Sequence, residues 1–162
     1  MKIRKYWEAN FLVAEFVLAV ALALLFYLWS EYINKNMFLL QFFTGNRESI
    51  YAALVALFGS LLGFSITAVS IVLGYANSEK LEIVRMSSHY MDLWNAFKSA
   101  IAVLAFATMT TLVGLIFDRD SAPMDAILYV NVFASILSFF RIARCIWVLN
   151  YIIAIVTKQR EI

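Results

Sequence analysis

The chain has 162 residues, of which 64% are hydrophobic and 15% charged, with a net charge of +2. A soluble domain of this size needs more polar surface, and so small a net charge argues against a nucleic-acid surface. One proline, five glycines and a lone cysteine, Cys145, leave no room for a long flexible linker or an internal disulfide, so one domain over residues 1–162 is expected.

Four long apolar runs follow in order. The first, Phe11 to Trp29, is broken only by Glu15. The second, Ser49 to Ser78, and the third, Ser99 to Phe117, contain no Asp, Glu, Lys or Arg. The fourth, Ala126 to Val156, carries Arg141 and Arg144. A membrane-spanning helix needs about 20 mainly apolar residues. The runs do not alternate and are too few for a barrel, which leaves helices. The expectation is an all-α bundle of four transmembrane helices, near 10–30, 50–77, 99–117 and 126–156. Helices 2, 3 and 4 are expected to extend beyond the bilayer on the cytoplasmic side. Lys2, Arg4 and Lys5 precede the first run as in a signal peptide, but its apolar core is too long and ends without a suitable cleavage site.

Orientation follows from basic residues in the short flanks. Lys2, Arg4, Lys5, Lys80, Arg85, Lys98, Arg141, Arg144, Lys158 and Arg160 fall on one side, against Lys35, Arg47 and Arg119 on the other. That asymmetry predicts both termini in the cytoplasm; the expected location of this multi-pass protein is the prokaryotic inner membrane. Asp118-Arg119-Asp120 then forms an outer loop.

The first outer loop contains the apolar stretch Met37 to Phe43, too short to span and readable as an interfacial, re-entrant or subunit-contact segment. The inner segment 79–98 mixes Leu81, Val84, Trp94 and Phe97 with Glu79, Lys80, Arg85 and His89, and predicts an amphipathic hairpin turning near Ser87 to His89. His89 is the sole histidine, so a metal site is not expected. The apolar stretch Cys145 to Val156 needs a cover: the membrane surface, the hairpin or another subunit. Arg85, His89, Trp94 and Trp147 are the residues expected to face a partner.

Two constellations bear on function. Gly59, Gly63, Thr67, Ser70 and Gly74 recur at steps of three or four, placing a small and polar stripe on one face of the second span. Asn131, Ser135 and Ser138 do the same on the fourth. Such stripes pack membrane helices closely or line a narrow pore. Glu15, Arg141 and Arg144 lie inside spans, where an unpaired charge is costly. Their distances from the span ends put them at similar depth, so either Glu15 pairs with an arginine or all three snorkel to the headgroups.

The chain also resembles the small four-span membrane proteins of phage exclusion, among them the membrane component of the lambdoid Rex system and the membrane subunit of the Kiwa defence system. The likeness covers roughly residues 45–162 and lies in Gly59 to Gly74, Glu79 to Met91, Ser138 to Arg144 and Lys158 to Glu161. It implies membrane permeabilisation or membrane sensing during phage infection, with a cytosolic partner.

No carboxylate pair, Ser/His/Asp set or phosphate loop marks an enzyme, and no cofactor is expected. The leading expectation is a homo-oligomer, with a tetramer as the working stoichiometry, that conducts ions or perturbs the bilayer. The alternative is a non-conducting sensor or anchor recruiting a cytosolic protein. A small transporter would need inverted repeats or broken helices, and neither is visible.

Overall fold

The computed structural model describes residues 2–33, 43–74 and 90–158, with side-chain surroundings described for 11–32, 43–71, 73 and 94–150. Four helices make up the fold: α1 (Lys2–Leu28), α2 (Arg47–Gly74), α3 (Tyr90–Phe117) and α4 (Asp125–Lys158). One turn of π-helix, Trp29–Ile33, continues α1. Each helix contains a window long and apolar enough to cross a bilayer. The protein is therefore a four-helix, multi-pass membrane protein. A helix satisfies its own backbone polar groups, so sequences this apolar are stable as helices in lipid.

The expected boundaries shift at particular ends. The first helical turns of α3 occupy 90–98, as expected of a third helix that extends beyond its apolar run into one arm of the hairpin. Residues 79–89, with Arg85 and His89, lie outside the described residues, as does most of the Met37 to Phe43 stretch. The start of α2 at Arg47 follows a turn in which Asn46 N–H donates to the Phe43 carbonyl. Gly45 in this turn has φ 79°, a conformation that disfavours a side chain. At 34 residues α4 is about 51 Å long, well beyond a hydrocarbon core of about 30 Å.

The helices do not pack as a closed square. The pairs α2–α3 and α3–α4 share the most extensive contacts, and α1 lies mainly against α4, without a comparable contact to α2. The core sits among α2, α3 and α4: Phe58, Leu104, Ala107 and Ala134 are almost fully buried together. Small residues on α3 and α4 let these helices approach closely, while Phe58 fills the space from α2. A second cluster, Phe97, Ala100 and Cys145, packs with Ala68 and Val69 of α2 and Val148 and Leu149 of α4.

At Gly114, α3 approaches α2 closely. A Cβ placed there would lie 2.6 Å from the Tyr51 ring of α2. Tyr51 is 1% exposed and its hydroxyl is tied to Asp118, so the ring cannot retreat without losing that bond. Gly114→Ala is expected to lower stability in detergent by about 1–3 kcal/mol through overpacking. At Gly63 a Cβ would meet nothing within 4 Å, and Gly63→Ala is expected to leave the melting point of the isolated chain unchanged or slightly raised. Thermal melts of the two variants check the pair.

Candidate functional site: two buried charge clusters and an outward small-residue face

At the end of the bundle holding the start of α1, Glu15 meets both arginines of α4. Arg141 Nη1 donates to Glu15 Oε2 at 2.7 Å, and Arg144 donates through Nε at 2.8 Å and Nη2 at 2.7 Å to Oε1. Arg141 Nη2 also donates to the Leu12 carbonyl at 2.9 Å, reaching the backbone of α1. The side chains of Glu15 and Arg141 are 7% and 6% exposed, so the pair is shielded from solvent and lipid alike. Antiparallel packing explains the match: Glu15 is near the start of its span, and Arg141 and Arg144 are near the end of theirs. The same register brings Tyr27 and Tyr129 edge to face, with ring centroids 5.0 Å apart, toward the opposite end.

A second cluster at that opposite end escaped the sequence reading. Asp118, the residue after α3, is 1% exposed and accepts bonds from Arg47 Nη1 at 2.5 Å, Tyr51 Oη at 2.6 Å and Met124 N–H at 2.7 Å. Asp120 accepts from Gly45 N–H at 3.0 Å. Thus Asp118 and Asp120 are structural ties between the α3–α4 turn and the start of α2, rather than loop charges merely tolerated in water. The available signal was depth: Arg47 opens one span and Asp118 closes its antiparallel neighbour, the same comparison that relates Glu15 to Arg141.

Between the clusters, Thr111 of α3 donates to Asn131 Oδ1 of α4 at 2.8 Å, and Asn131 Nδ2 donates to the Ile127 carbonyl at 2.9 Å. One polar step further along α4, Ser138 is 1% exposed and its hydroxyl has no hydrogen-bond partner. The layer of Phe58, Leu104, Ala107 and Ala134 adjoins these groups. The seven residues from Asn131 to Ser138 rise about 10 Å, and the buried residue between them on this face is Ala134. Among the described residues, the buried polar groups on this face are thus interleaved with apolar ones.

The two small-residue stripes point in different directions. On α4, Asn131 and Ser138 are buried and Ser135 is half-buried, its hydroxyl donating to the Asn131 carbonyl. On α2, Gly63, Thr67 and Ser70 are exposed, and neither Gly59 nor Gly63 has a neighbour where a Cβ would point. The side of α2 that packs carries Tyr51, Leu54, Phe58, Leu61 and Leu62 instead. Thr67 and Ser70 donate to the Gly63 and Ile66 carbonyls, so their hydroxyls are satisfied without a partner helix. Gly74 is the last residue of α2, and its surroundings lie outside the described residues.

Trp94 is half-buried on α3, and Trp147 is 61% exposed on α4, 5.7 Å from the Arg144 guanidinium. Among the described residues, no group of His, Cys, Asp and Glu is arranged to hold a metal ion. Comparison with family models, curated proteins and solved structures finds no match for the chain.

Glu15→Gln leaves two buried or half-buried guanidinium groups without a carboxylate. It is expected to destabilise the protein by about 3–5 kcal/mol, as for other broken buried pairs. Adding Arg141→Gln should recover part of that loss, a coupling readable from a double-mutant cycle of unfolding in mild detergent. Strictly additive losses would show that the two side chains do not interact.

Proposed function

We propose that the protein assembles with copies of itself through the outward face of α2 and forms an ion-conducting or bilayer-perturbing seam at the symmetry axis. The carrying observation is the position of Gly63, Thr67 and Ser70, with half-buried Gly59, on a face that the described residues leave uncovered. Small residues spaced in this way allow close approach of a second helix in lipid. Hydroxyls and glycine backbone supply weak polarity without fixed charge, as a narrow conducting path requires. Among the described residues, the buried polar groups inside one chain are interrupted by the apolar layer around Phe58 and Leu104. Conduction therefore belongs to an assembly. The resemblance to phage-exclusion proteins supplies a setting, loss of membrane integrity on infection, and a cytosolic partner as trigger.

A non-conducting anchor is the second reading. It is favoured by the C-terminal part of α4, where Ile146 and Trp147 are 54% and 61% exposed near the end of the span. A partner protein covering these residues would use the membrane segment only as attachment.

Purified protein in liposomes separates the readings. Ion flux is expected for the wild type. Gly63→Leu should keep the fold, because none of the described residues occupies the space beside Gly63, yet lose both assembly and flux. Intact oligomers without flux would overturn conduction, and unchanged assembly in Gly63→Leu would remove α2 from the seam.

A further inference from the structure

Among the described residues, the Glu15 cluster is unbalanced: two guanidinium groups meet one carboxylate. Both carboxylate oxygens are committed, Oε2 to Arg141 and Oε1 to Arg144. Arg141 Nε is buried and has no acceptor, so the protein leaves the hydrogen-bonding demand of this group incompletely met. One positive charge in excess at the edge of a low-dielectric layer favours a counter-anion strongly.

Access to that charge is through Arg144. Its side chain is 16% exposed, against 6% for Arg141. Its guanidinium lies 4.6 Å from the Phe11 ring centroid on one helix and 5.7 Å from that of Trp147 on its own. The two rings hold the cation by their faces and restrict its orientation. Phe11, against which Arg144 lies, opens the apolar run of α1 directly after Glu8, Ala9 and Asn10, which puts the guanidinium at the edge of the apolar layer. A long arginine side chain there reaches the headgroup level by snorkelling, where an exposed tryptophan is also favoured. A guanidinium already bonded on one edge to a carboxylate retains other N–H donors, and its planar fork suits phosphate oxygens.

We infer that Arg144, flanked by Phe11 and Trp147 and backed by the Glu15–Arg141 pair, binds the phosphate of an anionic phospholipid headgroup. The leaflet is the one at the α1 start of the bundle. The site does not depend on conduction and would serve an anchor equally well. It makes the α1–α4 contact sensitive to lipid composition.

The test uses the full chain in a neutral detergent, with phosphatidylglycerol, phosphatidylcholine or inorganic phosphate added. Native mass spectrometry reads retained lipid, and thermal melting reads stabilisation. The wild type is expected to retain phosphatidylglycerol and to gain several degrees, with little effect from phosphatidylcholine or inorganic phosphate. Arg144→Gln keeps a balanced Glu15–Arg141 pair and should lose most of the retention and the shift. If Arg144→Gln cannot be purified, Arg144→Lys carries the comparison: it keeps the charge, loses the planar fork and should retain less lipid. Equal retention of phosphatidylglycerol by wild type and variant, equal retention of phosphatidylcholine, or an equal shift with inorganic phosphate would each overturn the assignment.

Discussion

A charge inside a bilayer must find an opposite charge, and this constraint organises the bundle. Glu15 cannot be left alone on α1, and its carboxylate is satisfied on α4 by Arg141 and Arg144. That tie, with the Arg141 bond to the Leu12 carbonyl, joins the first helix to the last rather than to its neighbour in sequence. At the other end Asp118 gathers Arg47, Tyr51 and Met124 N–H, fixing α2 against α3 and the following turn. No hydrophobic force drives helices together in lipid, because the tails are as apolar as the side chains, so close van der Waals packing and hydrogen bonds hold the bundle. Polar ties and close approach, as at Gly114 and Tyr51, then carry more of the specificity.

Putting α1 on α4 has a consequence for α2. Its Leu54, Phe58, Leu61 and Leu62 side packs into the core, and its Gly63, Thr67 and Ser70 side is left outward. The outward hydroxyls bond their own helix, so this face is compatible with lipid and with another copy alike. An assembly along α2 would thus leave the charge ties within each chain untouched. The aromatic cradle around Arg144 is on the far pair of helices, where lipid can reach it without displacing a neighbour on α2.

Much of this architecture is legible in the residues alone. Four uninterrupted apolar runs define four helices because hydrocarbon admits few other structures. The depths of Glu15 and Arg141 place them on one level, and the structure has them in contact. Comparison of the same kind for Arg47 and Asp118 would have found the second cluster, but both lie at the edges of apolar runs, where charge is ordinary. Periodicity groups Gly59, Gly63, Thr67 and Ser70 on one face, yet it carries no information about which neighbour that face meets. That depends on helix order in space, which the Glu15 tie sets from outside α2. The start of α3 at Tyr90 was legible as well: the amphipathic mixture around Asp92 and Lys98 reads as a helix running on past its apolar run.

The placement of α1 against α4 is the central claim, and cross-linking in native membranes tests it most directly. Phe16 and Phe133 stack edge to face with ring centroids 5.7 Å apart. In a Cys145→Ala background, the pair Phe16→Cys and Phe133→Cys should cross-link within one chain on mild oxidation. The pair Phe16→Cys and Thr67→Cys, which joins α1 to the outward face of α2 at matching depth, should give no cross-link within one chain. Efficient joining of the second pair within single chains, with none of the first, would contradict the helix order and with it the outward position of the α2 face.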